Sequence, residues 1–164
     1  MNPKEKQVIS LDKKIMSTSY DRETDFVFNK GRGVYAFDYS NKSYLDFAAG
    51  IAVLNAGHSN DEIVNAIKTQ LMFGTHAAFP DFYAMPPLAL SKNILSLMPS
   101  KSLDKVFLSN SGTESIECAI KLSKFHSKKK WIVAFTPCFH GRTMGSLSMT
   151  NSRAVQRDGF GPFL

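Results

Sequence analysis

The chain has 164 residues, 43% apolar and 21% charged, with a formal net charge of +6. That is the composition of an ordinary soluble globular protein, long enough to bury one core. Its basic residues are scattered apart from Lys128-Lys129-Lys130, and no segment interleaves them with aromatics as a base-stacking surface does, so nucleic acid is set aside as a partner.

No apolar run approaches membrane-spanning length and no signal sequence opens the chain. Cys118 and Cys138 are too few for a disulfide framework, which fits a reducing, cytoplasmic setting. Cys138-x-His140 lacks a second ligand pair, so no metal site is expected.

Residues 1–24 are polar and read as a mobile lead or a short helix laid on the body. Phe26-Val27-Phe28, Val34–Phe37 and Ser43–Phe47 read as three antiparallel strands, with turns at 29–33 and 38–42. Gly31-x-Gly33 is no phosphate loop, because no helical pattern follows it. Ala48–Gly57 is small and apolar, suited equally to core packing and to a backbone beside a ligand. His58 reads as a structural donor before a catalytic base. Ser59-Asn60-Asp61-Glu62 starts a helix whose stripe of Ile63, Ile67 and Leu71 is expected in the core. Phe73–Tyr83 breaks the pattern and holds His76, Phe79, Phe82 and Tyr83, a loop assigned to contact with a dimer partner. Pro86 opens another helix, which Pro99 stops.

Val106-Phe107-Leu108, a helical pattern from about Thr113 to Phe125, and Trp131–Phe135 read as a βαβ unit with its strands parallel and adjacent. The turn before the helix then lies at the carboxyl edge of the sheet, where open α/β sheets bind ligands. Gly112 allows close approach there, and the first helical amides are unpaired and carry the positive end of the dipole. A phosphate would be held by the N–H groups of Gly112 and Thr113, with the Ser111 and Thr113 hydroxyls as further donors. Ser111-x-x-Glu114 equally fits a capping box, which needs no ligand. Past the second strand, Phe139 offers a flat aromatic face and Arg142 a fork suited to a carboxylate. Residues 143–150 begin another helix with a small-residue face, and 151–164 are loop-like, ending without a stop pattern.

Asn110–Ser115 followed by Phe139-His140-Gly141-Arg142-Thr143 resembles the class III (ω-amino acid) aminotransferases, fold type I enzymes that use pyridoxal 5'-phosphate. Ala48–His58 is similar to a segment near the start of 4-aminobutyrate and acetylornithine aminotransferases, and the three motifs keep the family's order and spacing. The resemblance implies an incomplete α/β architecture: a small antiparallel element, then the first βαβ unit of a large parallel-sheet domain. It implies residues 1–58 as the N-terminal segment and part of the small domain, and 59–164 as the start of a truncated large domain.

By the same resemblance, Ser111, Gly112, Thr113, Phe139 and His140 bind cofactor, while Arg142 and Ile51 meet substrate. The implied reaction moves an amino group from an ω- or α-amino acid to a 2-oxo acid, in a homodimer. Ile51-Ala52-Val53 tilts the substrate toward 4-aminobutyrate. The family's Schiff-base lysine and the acid at its pyridinium nitrogen lie beyond the distance covered here, so no catalytic residue is assigned and the chain alone is expected to be inactive. A non-catalytic product, half of a split enzyme, and a racemase or aminomutase on the same scaffold are the alternatives.

Overall fold

The computed structural model describes residues 1–163. They form two compact units, Met1–Ala78 and a second that begins at Phe79.

The first unit opens with helix α1, Pro3–Ile15. Asn2 caps it: its side chain accepts the Glu5 amide at 3.0 Å while Glu5 accepts the Asn2 amide at 2.7 Å. Of the two readings of this segment, the docked helix holds. Glu5 is buried, and Asn2 reaches Ser40 at 3.1 Å. Strands β1 (Lys30–Arg32), β2 (Tyr35–Phe37) and β3 (Ser43–Leu45) follow, in an antiparallel sheet of order β1-β2-β3.

The expected first strand is displaced. Arg32 pairs with Tyr35, so the hairpin turns on Gly33-Val34, with Gly33 at φ 56°, and the strand falls on the residues read as a turn. Phe26-Val27-Phe28 packs instead through its side chains. Val27 is buried, Phe26 meets Tyr44 edge-on, and Phe28 lies over the His58 ring.

Past β3 the backbone does something the sequence does not announce. Ala49, Gly50, Ile51 and Ala52 all have positive φ, between 45° and 64°, so this short element, α2 (Ala49–Ala52), is a left-handed turn. Such a conformation costs about 1–2 kcal/mol for each residue with a Cβ, and most for a β-branched one. Asp46 supports it, taking the Ala49 amide on one oxygen at 2.8 Å and the His58 ring on the other at 2.7 Å. His58 is fixed in turn by paired backbone bonds to Gly33 at 2.7 and 2.9 Å. It is therefore a structural donor here. Helix α3 (Asp61–Phe73) begins where its acids predict, with the Asn60 side chain accepting from Glu62 and Ile63.

In the second unit, α4 (Met85–Ser96) starts on prolines, and α5 (Gly112–Ser127) ends with Lys128 in the left-handed region. Lys128–Lys130 is exposed, as a solvated loop should be. Helix α6 (Met144–Met149) buries Gly145, Ser146 and Leu147, the expected small-residue face, and a single 3-10 turn, Ala154–Gln156, interrupts the loop after it. The reading of 159–164 as ending without a stop pattern extends to Leu164, which lies outside the described residues.

Two expectations fail for one reason. Val106–Leu108 and Trp131–Phe135 flank α5 as read, but they are not paired: among the described residues no backbone–backbone hydrogen bond engages either run. The helix stripes are also not core. Ile63, Ile67 and Leu71 are about half exposed, and only Val27, Ala36 and Leu147 are buried apolar side chains among the described residues. Strand and helix patterns record which faces a domain will bury. They do not require the covering partner to lie within the same 164 residues.

The Ala49 amide, and then His58, hold the Asp46 carboxyl below the ordinary aspartate range. The ionised form thus stabilises the fold above the unfolded-state value, and that contribution is lost as pH falls through the lower folded value. The protection factor of the Ala49 amide should be constant at neutral pH and drop in acid below the ordinary aspartate range. A factor that stays flat through the acid range would show that Asp46 does not hold the turn.

Candidate functional site

The start of α5 is an open cradle of polar backbone. Ser111 is its N-cap, with the hydroxyl oxygen accepting the Glu114 amide at 3.3 Å. Glu114 reaches back to the Asn110 amide at 2.6 Å, one residue before the position a strict capping box uses. This leaves the N–H groups of Gly112 and Thr113 without partners among the described residues. No atom lies within 4 Å of the place a Gly112 Cβ would occupy. Capping and anion binding are therefore compatible, because the cap uses the Glu114 and Asn110 amides and spares the two in front.

The loop 138–143 is folded by a few buried polar groups. Thr150 is fully buried; its hydroxyl accepts the His140 amide at 2.9 Å and donates to the Gly141 carbonyl at 2.9 Å. Asn151 takes the Cys138 amide on its side chain and returns its own amide to the Cys138 carbonyl, both at 2.9 Å. Neither Thr150 nor Asn151 stood out in the sequence. A lone threonine after a helix carries no distinguishing pattern.

These two pieces meet. Gly141 has φ 130°, and a Cβ built on it would fall inside the van der Waals envelope of Thr113 Oγ1. The Thr113 hydroxyl also contacts the Ser146 hydroxyl at 2.6 Å and the Thr143 hydroxyl at 2.9 Å. Glu117, one turn further along α5, accepts the Thr143 hydroxyl and the Ser146 amide, the latter at 2.9 Å. The Thr143 hydroxyl, followed by the Ser146 and Gly145 amides, holds the Glu117 carboxyl below its ordinary range, against burial that pushes it up. Sequence reasoning missed Glu117. The available signal was its position four residues after Thr113, on the same side of the helix.

Ser111, Gly112 and Thr113 thus sit on one side of the contact, and Phe139, His140 and Arg142 on the loop that makes it. Phe139 is 51% exposed, and the Arg142 guanidinium carbon lies 5.7 Å from its ring centroid. His140 is half-buried, and its ring has no hydrogen-bond partner among the described residues. Ile51 belongs to the first unit, where it stands 92% exposed on the left-handed turn. A groove of about 900 Å3 along α5 is lined by Phe107, Leu108, Leu122 and Phe125, and also meets Asn110, Glu114 and Glu117. Its exposed surface is mostly apolar, as a packing face is.

Residues 16–164 match the model of the class-III aminotransferase family. The chain is 38% identical over 141 residues to an acetylornithine aminotransferase of Halalkalibacterium halodurans, covering 85% of this chain and 35% of that one. It is 34% identical over 134 residues to a probable 4-aminobutyrate aminotransferase of Bacillus subtilis, covering 82% and 31%. The crystal structure of a transaminase from the marine bacterium Virgibacillus superposes with a TM-score of 0.85 at 25% identity, over 96% of this chain and 38% of that one. The chain belongs to the class-III aminotransferases, whose members are pyridoxal-phosphate dependent, and it spans about a third of the length of these relatives.

Gly141→Ala should be the most damaging small substitution in the loop. It demands positive φ of a residue with a Cβ and drives that Cβ into Thr113, at a cost of about 1–3 kcal/mol. The urea midpoint read from the Thr150 amide should fall accordingly. An unchanged midpoint would mean the loop does not press on α5.

Proposed function

We propose, starting from class-III membership, that the protein of which this chain forms a part transfers an amino group from an ω- or α-amino acid to a 2-oxo acid, using pyridoxal 5'-phosphate. The amino donor is of the 4-aminobutyrate or acetylornithine kind. The observation that supports this reading most is the seating of Gly141 on Thr113, which sets the loop bearing Phe139 and Arg142 against the start of α5.

The residues present fit such a cofactor. The Gly112 and Thr113 amides and the Ser111 hydroxyl meet its phosphate, where the helix dipole favours negative charge. One face of Phe139 packs on the ring, while Arg142, already stacked against Phe139, turns its fork to a substrate carboxylate. His140 flanks the ring, and Ile51 meets substrate. Bound pyridoxal phosphate supplies an electron sink for bonds at the amino-bearing carbon. The chain's own residues bind and orient, and none is placed to hold the cofactor covalently. Lys121 and Lys124 lie along α5, and Lys128–Lys130 in an exposed loop.

A homodimer belongs to this reading, with the 73–83 segment as partner contact; Tyr83 is fully exposed there. A reducing, cytoplasmic setting belongs to it too.

Mixed with pyridoxal phosphate, dialysed and only then reduced with borohydride, the chain should show no bound aldimine and retain no cofactor absorbance. Stoichiometric retention on one lysine would show that the reactive amine is present after all. In an active enzyme assembled from this chain and the remaining two thirds of a class-III relative, Arg142→Ala should raise the substrate KM by roughly tenfold or more, the loss of one charge-assisted pair. Unchanged kinetics would remove Arg142 from the site.

A further inference from the structure

The three hydroxyls between α5 and the loop form a triangle, and a triangle of hydroxyls has a direction. Thr113, Thr143 and Ser146 lie 2.6–2.9 Å apart, each within hydrogen-bond reach of the other two. Each has one hydrogen to give. Glu117 decides the first, because an ionised carboxylate only accepts, so Thr143 must donate to it. The 2.9 Å contact between Thr113 and Thr143 is then a hydrogen bond only if Thr113 is the donor. Ser146 gives its hydrogen to the Thr143 carbonyl at 3.1 Å, to the Thr143 hydroxyl at 2.9 Å, or to Thr113. With the bond from Thr113 to Thr143 made, the Thr113 hydrogen points into the triangle, away from the cradle.

The same carboxylate spans the junction in a second way. It accepts the Ser146 amide at the start of α6, so a residue of α5 caps the helix that follows the loop. Glu117 is thereby tied to the chain just after Arg142, through Thr143 before α6 and Ser146 within it.

We propose that Glu117 is a positioning residue of the cofactor site. Its carboxylate fixes the direction of the Thr113–Thr143–Ser146 hydroxyls and locks the 138–143 loop onto the start of α5. An anion at the cradle is met by the Gly112 and Thr113 amides and the Ser111 hydroxyl, and not by the Thr113 hydroxyl. The Ser111 hydrogen is free for this, since its oxygen accepts from Glu114 and no donor bond from it is present among the described residues. This rests on the reading of the α5 start as a phosphate site.

The test uses the isolated chain and inorganic phosphate, read by NMR. The wild type should show a Thr113 methyl to Gly141 Hα NOE, with shifts at the Gly112 and Thr113 amides as phosphate is added. Glu117→Gln keeps an acceptor for Thr143 and should keep the NOE, whereas Glu117→Ala should lose it. If Glu117→Ala does not fold, Thr143→Val decides, because it cuts the link to the triangle while leaving the Ser146 amide capped. Loss of the NOE there supports the role, and its retention overturns it. Ser111→Ala, which removes the hydroxyl donor that this assignment leaves to the ion, should weaken the apparent phosphate affinity by roughly tenfold, whereas an unchanged affinity would overturn the assignment. Absence of any phosphate shift in the wild type would sink the cofactor reading alone; the NOE comparisons would still decide Glu117.

Discussion

Everything proposed for this chain depends on a backbone meeting a side chain at contact distance. Gly141 lies against Thr113 with no room for a Cβ, and that fit brings the 138–143 loop to the N-terminal edge of α5. Without it, the free amides would be an ordinary helix start and Arg142 an ordinary surface cation. With it, Thr113 and Thr143, 30 residues apart in sequence, come within hydrogen-bond contact. The supports on the loop side, Thr150 and Ser146, are polar with no exposed surface, and from α5 the half-buried Glu117 draws donors from three residues. Buried polar groups are tolerated only when satisfied, and here the satisfaction also sets the geometry.

The rest of the molecule is organised around partners that the described residues do not supply. Phe107, Trp131, Val133 and Phe135 are 70–89% exposed, on runs patterned as buried strands. Exposed apolar surface of this extent marks a docking face or a site of association. The match to about a third of each relative accounts for it physically, since a layered domain covers its sheet and helix faces with elements drawn from its whole length.

The sequence made the helices legible because their signals are local. Asn60 and Ser111 satisfy orphan amides within a few residues, and the prolines at the start of α4 have no amide to leave unpaired. The motif residues of the site were legible too, although Gly141 was read only as part of a motif and turns out to be its steric hinge. Three features were not legible. Pairing of the 106–108 and 131–135 runs was inferred from spacing, yet spacing says nothing about which strand lies beside which. The hairpin was placed too early, because Asn29–Gly33 looks like a turn throughout while a two-residue turn with positive φ at Gly33 suffices. The left-handed turn at 49–52 left no trace, since alanine and isoleucine disfavour it and the side-chain support comes from Asp46, which His58 holds from twelve residues away.

The most direct measurement is an amide and aromatic NMR titration of the chain with pyridoxal 5'-phosphate. A shared rim predicts that the Gly112 and Thr113 amides and the Phe139 ring shift together, with one dissociation constant. Shifts confined to the α5 start, with Phe139 unmoved at saturation, would contradict it.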